Sequence, residues 1–292
     1  MKKVIELTKI LFKNTNSQFT IKGKSSKIGI LVLVLYVAIM FGYLSYHIVK
    51  LLIAYNQPII FIGIILLAIA LLTIFQTILT SINIFYMSKD IEYLLPMPIS
   101  DKELLMAKFN VLLITEYIIE LMFTFVPIII YGMLTSAGIM FYIYSVLVLL
   151  LFPIFPAVIA SIVVVLIMSF SKNTRNKDKF TTIATIISII LILGIQFISI
   201  SNAEFTDEQM MEKFLQLNGM IDVIGDYFIT IKPSLDTLSN YNNIIGIISL
   251  VKLLMITIIS YILFIILGNK VYLRGAIRSN NKYRKLKTSN FK

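Results

Sequence analysis

Long apolar runs separated by short polar stretches set the first expectation for this chain. Six runs, near 28–46, 59–87, 111–133, 139–170, 181–201 and 244–268, are each long enough to cross roughly 30 Å of hydrocarbon at about 1.5 Å per residue. The pattern predicts an all-α polytopic membrane protein with six transmembrane helices. The second and fourth runs exceed the need, so they should tilt, kink or protrude. Pro153 and Pro156 stand midway along the fourth, where lost backbone bonds predict a bend buried against protein. Short connections after the first and third runs suit antiparallel neighbours.

Ahead of the first run, Lys2, Lys3, Glu6, Lys9 and Lys13 fall on one side of a helical projection, with Val4, Leu7 and Leu11 on the other. No uninterrupted apolar core or small-residue cleavage site marks a secretory signal. The pattern fits an interfacial helix on anionic lipid or a basic arm. The chain thus divides into an amphipathic segment 1–27, a membrane domain 28–268 and a basic tail 269–292.

Composition strengthens this reading. Hydrophobic residues make up 58% and charged residues 14%, with a mean hydropathy of +0.91, well above what a soluble core requires. There is no cysteine and a single histidine, His47, which argues against disulfides, thiolate chemistry, His-based metal sites and catalytic triads. No GxxxxGK[ST] string or nucleophile elbow occurs, so no catalytic, metal or cofactor-binding residue is expected.

The net charge of +11 follows membrane topology rather than a nucleic-acid surface. Seven lysines lie in the N-terminal arm, three positive residues after the second run, four after the fourth and eight in the tail. The positive-inside rule places both termini and the 88–110 segment in the cytoplasm. Loop 202–243 carries seven acids against two lysines and faces outside. Thr206 with Gln209 opens a helix there, which either lies on the bilayer or forms a lid.

The 88–110 segment mixes both charge signs with proline. Pro96 and Pro98 forbid one continuous helix. Ser100 with Glu103 is a capping-box pattern that starts a new one. Ile91, Leu94 and Leu95, interleaved with Asp90 and Glu92, give a short helix before the prolines an apolar face.

The run DIEYLLPMPISDKELLMAKF resembles the cytoplasmic coupling segment between the second and third membrane helices of ABC-2 type ABC transporter permeases, the membrane subunits of bacterial exporters. The resemblance implies an amphipathic elbow helix at the N-terminus and a permease working by alternating access. It further implies that ATP and Mg²⁺ are bound by a separate ATPase subunit, so that this chain is not itself an enzyme. Ile91, Leu94, Leu95, Pro96, Pro98, Ser100 and Glu103 would then dock on that subunit. A second permease copy or half and membrane lipids are the other implied partners. The chain is either a half-transporter or one half of a longer permease. A non-transporting membrane scaffold or immunity protein is the alternative, and an intramembrane enzyme a weaker one.

Polar residues within the runs are the remaining candidates, since their burial in lipid is costly unless they are partnered. Thr73, Gln76, Thr80 and Asn83 recur at three and four residues, a stripe that serves either helix packing or a substrate path. Glu116 and Glu120 are one turn apart on the third run, and Lys252 lies within the sixth. By depth, Glu120 and Lys252 differ by only about one turn of 5.4 Å. They either pair during gating, or Lys252 reaches outward to headgroups while Glu120 is protonated or bonds a neighbouring helix.

The topology is open to a direct check in this cysteine-free chain. Single cysteines at Ser100 and Ser279 should resist an impermeant thiol reagent in intact cells, whereas one at Asn218 should react. Labelling at position 100 from outside would reverse the orientation.

Overall fold

A computed structural model describes residues 2–18, 24–87, 99–170 and 228–289. All regular structure among them is helical. The helices are α1 (Lys2–Gln18), α2 (Lys24–Ala54), α3 (Ile59–Ile82), α4 (Asp101–Leu134), α5 (Ile139–Leu151), α6 (Ile154–Phe170), α7 (Ile231–Ser239) and α8 (Ile244–Ser289). Five stretches are long and apolar enough to cross a membrane: Val34–Ala54, Ile59–Tyr86, Asp101–Leu134, Ile139–Ser169 and Ile244–Asn269. The expected span over 181–201 and the Thr206–Gln209 capping pattern lie outside the described residues.

Each boundary has a local cause. The α2 helix runs on past the end expected for the first span and stops at Asn56, whose φ of 57° is left-handed. There Asn56 N–H donates to Ile53 O at 3.0 Å and Gln57 N–H to Leu52 O at 2.9 Å, the paired bonds of a Schellman end. Ser136, with φ of 53°, ends α4 in the same way, through Ser136 N–H to Met133 O and Ala137 N–H to Gly132 O. Both turns are tight, as the short connections predicted.

The fourth apolar run breaks at Phe152 and Pro153 into α5 and α6. Phe152, Pro153 and Pro156 are all buried at the break, so the bend is packed against protein and not against lipid. Pro233 does not interrupt α7. It sits in that helix's first turn, where an amide would have no intrahelical acceptor.

The central helix is α4, which packs against α1, α2, α3, α5 and α8. Ser100 caps its N-terminus: its hydroxyl accepts from Glu103 N–H at 3.3 Å, and the Glu103 carboxylate accepts from Ser100 N–H at 3.0 Å. On α1, Val4, Thr8 and Leu11 are buried while Ile5 and Ile10 are exposed, so its apolar side is divided between α4 and the surroundings. Glycine permits close crossings: a Cβ on Gly268 of α8 would lie 2.5 Å from Leu105 Cδ2 of α4. Large apolar side chains such as Ile39, Tyr43, Ile139, Ile244 and Ile258 point outward, as lipid-facing surfaces do.

Buried apolar side chains form two clusters. One gathers Phe85, Leu105, Phe109, Val164 and Phe264 with α1, and the other gathers Leu52, Ile60, Leu66, Phe141 and Phe152 with α7. In the first cluster the end of α3 widens into a π-helical turn, Asn83–Met87. Lys108, only 1% exposed, donates from Nζ to Ile84 O at 2.8 Å and to Phe85 O at 3.2 Å. An ammonium there also meets the negative end of the α3 dipole. Tyr272 of α8 donates its hydroxyl to the same Phe85 O at 3.0 Å. Burial, with Tyr86 close by, pushes the Tyr272 phenol above its usual range, which keeps it a donor. Three helices thus meet on two carbonyls.

Substituting Lys108→Met keeps the length of the side chain but removes the donor. Charge-assisted hydrogen bonds are worth about 1.5–3 kcal/mol, so a loss of that order is expected in detergent-based unfolding. Tyr272→Phe, which removes one neutral bond of about 1 kcal/mol, should cost less. A Lys108→Met protein as stable as the parent would show that the clamp contributes nothing.

A buried carboxyl and hydroxyl seam as the candidate functional site

Between the two apolar clusters, α3 and α4 meet through polar side chains. The threonines at 73, 77 and 80 recur at four and three residues, which puts them on one stripe of α3. Glu116 and Glu120, four apart, form the matching stripe of α4. Thr73 Oγ1 is hydrogen-bonded to Glu120 Oε1, and Thr80 Oγ1 lies 3.2 Å from Glu116 Oε1. Thr77, wholly buried, lies beside Glu116. Glu116 is 0% exposed and Glu120 3%, so neither carboxyl has water at hand.

The same hydroxyls also serve their own helix. Thr73 Oγ1 donates to Ile69 O at 2.7 Å and Thr80 Oγ1 to Gln76 O at 2.9 Å. On α4, Thr124 Oγ1 likewise donates to Glu120 O at 2.8 Å. Back-bonding to the carbonyl one turn earlier is how hydroxyls are satisfied in apolar surroundings. Glu116 Oε2, Glu120 Oε2, Thr77 Oγ1 and Gln76 Nε2 are buried with no hydrogen-bond partner. Buried polar atoms left in that state are uncommon.

Of the residues singled out in the spans, the structure brings together Thr73, Thr80, Glu116 and Glu120, with Gln76 joining only through its backbone carbonyl, which accepts from Thr80. Asn83 does not join them: it is exposed on the π-helical turn, with Nδ2 donating to Leu79 O at 3.3 Å. Lys252 stands apart as well. It is exposed on α8 and lines an open groove with Lys232 and Asp236 of α7. Ser100 and Glu103 cap α4, while Ile91, Leu94, Leu95, Pro96 and Pro98 lie outside the described residues. Sequence reasoning missed Thr77, although its position four residues from Thr73 was a usable signal. It also read Lys108 only as a topological charge, and no pattern in the sequence marks it as buried.

Among the described residues no group of three or more His, Cys, Asp or Glu side chains is placed to hold a metal ion. The seam supplies oxygen acceptors and hydroxyl donors away from water. Such a set can store protons and fix the contact between two helices. It offers no nucleophile paired with a base.

Residues 24–291 match the model of a family described as "Putative ATP-binding cassette". No match was found among curated proteins or among solved structures. The family match overturns three expectations drawn from the 88–110 string. Identification as an ABC-2 type permease is corrected, because the match over most of the chain is to a family described by ATP binding. The export role, with its alternative as a non-transporting scaffold or immunity protein, falls with it. The expectation that this chain is not an enzyme, with ATP hydrolysed only on a separate subunit, is likewise withdrawn. A twenty-residue resemblance reflects one local contact, whereas the family match takes in nearly the whole sequence. The sequence still contains no GxxxxGK[ST] string, and the described residues contain no strand on which such a loop is mounted.

Proposed function

The chain belongs to the family described as a putative ATP-binding cassette, and from that premise we propose that it is a membrane-embedded member of an ATP-binding cassette transporter, acting with partner subunits. The observation that carries this reading is the coincidence of the family match over 24–291 with five stretches long and apolar enough to cross a membrane. The 181–201 run supplies a sixth crossing in this reading. The distribution of lysine and arginine supports cytoplasmic termini.

Segment 88–110 is then a cytoplasmic face for a partner subunit. Its support is chemical: Leu94 and Leu95 give an apolar knob, Pro96 and Pro98 a rigid bend, and Ser100 with Glu103 a firmly capped helix start. In the membrane, the α3–α4 seam is the polar contact whose rearrangement would accompany the work of the transporter. Lys252 and Asn83, lying off the seam, are assigned no part in it.

The test is purification of the chain, with the proteins that accompany it, from its own membranes into nanodiscs. The preparation should bind and hydrolyse Mg-ATP, and a photoreactive ATP analogue would show which chain carries the nucleotide. Leu94→Asp should strip away a partner without reducing membrane insertion, since it touches no spanning run. A preparation in which no chain binds or hydrolyses ATP would overturn the proposal.

A further inference from the structure

The seam can be examined proton by proton. Thr73 has one hydroxyl proton, yet its oxygen sits within hydrogen-bond distance of two acceptors, Ile69 O and Glu120 Oε1. Thr80 faces the same arithmetic with Gln76 O and Glu116 Oε1. If both carboxyls were ionised, each threonine would have one proton for two acceptors, and two negative charges would stand one turn apart. If each carboxyl carries a proton, every contact is satisfied. Glu120 then donates to Thr73 Oγ1, which donates to Ile69 O, and Glu116 donates to Thr80 Oγ1, which donates to Gln76 O. We propose that Glu116 and Glu120 form an intramembrane proton-binding site, and that its two protons hold α3 closed on α4.

The unpartnered atoms support a site whose occupancy changes. Thr77, fully buried, lies beside Glu116 with its hydroxyl outside good hydrogen-bond geometry, and both Oε2 atoms lack a well-placed donor. A departing proton would leave a carboxylate that Thr77 and Gln76 Nε2 are near enough in sequence register to approach, or that water must enter to solvate. Either event loosens the seam.

Ionisable groups on the packed elements are occupied elsewhere. Tyr117, the titratable neighbour of Glu120 on α4, donates to Leu150 O at 2.6 Å, and Tyr261 of α8 lies 3.3 Å from Asn110 Oδ1. Lys108 holds the carbonyls of Ile84 and Phe85, and His47 of α2 lies against the rings of Tyr43 and Tyr46. Lys50 lies over Tyr46, and Lys252 lines the groove against α7. None of them is bonded to either carboxyl. Among the described residues the seam's charge balance therefore depends on protons, whether or not the chain itself handles nucleotide.

Infrared difference spectroscopy of the full chain in nanodiscs reads this directly. At neutral pH the wild type should show carboxylic-acid C=O bands that shift on deuteration. Glu116→Gln and Glu120→Gln, whose amides can donate in place of the acid, should each remove one band and leave the fold intact. Raising the pH should bleach the bands and speed backbone hydrogen exchange in α3 and α4 of the wild type, with no such acceleration in the double glutamine variant. Absence of carboxylic-acid bands at neutral pH would overturn the proposal, as would bands that survive in the double variant. Loss of the bands on adding sodium at fixed pH would also overturn it, by showing an ion site in place of a proton site.

Discussion

A carboxyl group buried away from water must find its partners inside the protein, so those of Glu116 and Glu120 bear on where α3 lies on α4. An unsatisfied polar group at that depth costs several kcal/mol by general transfer data. The hydroxyls of Thr73 and Thr80 are the groups that meet this demand. Because α4 also contacts α1, α2, α5 and α8, fixing the α3–α4 register positions the helix on which much of the bundle rests. Apolar side chains fill the space on either side of the seam, but similar side chains would pack in several registers. Directed hydrogen bonds select one.

The two ends of the bundle are held by different chemistry. Near the π-helical turn, an ammonium and a phenol from two other helices converge on the carbonyls that α3 leaves open. The capping box at Ser100 closes the start of α4 close by. At the opposite end, paired Schellman bonds at Asn56 and Ser136 reverse the chain within a few residues.

Much of this was legible in the sequence because it rests on local pattern. The capping box needs only Ser100 and Glu103, the break in the fourth run needs Pro153, and the paired acids need only their spacing of one turn. What depends on the azimuth of a helix was not legible. Glu120 and Lys252 match in depth, but depth does not tell which face of α8 turns toward α4, and Lys252 faces the groove beside α7. Lys108 was counted among charges that mark the cytoplasmic side, yet it is buried, because only the assembled fold supplies two open carbonyls within its reach. The family assignment failed because it leaned on a twenty-residue string, 90–109, which says little about the rest of the 292-residue chain.

The contact between Thr73 and Glu120 ties α3 to α4, and a double-mutant cycle measures it. Unfolding free energies in mixed micelles for Thr73→Val, Glu120→Leu and the pair should show a coupling above the average of about 0.6 kcal/mol found for hydrogen bonds between membrane helices, and up to roughly 2 kcal/mol. Thr73→Val alone should be more harmful than the double change, since it strands a buried carboxyl that the double variant no longer contains. Strictly additive effects would contradict the account, because the two helices would then be held in register by something other than this seam.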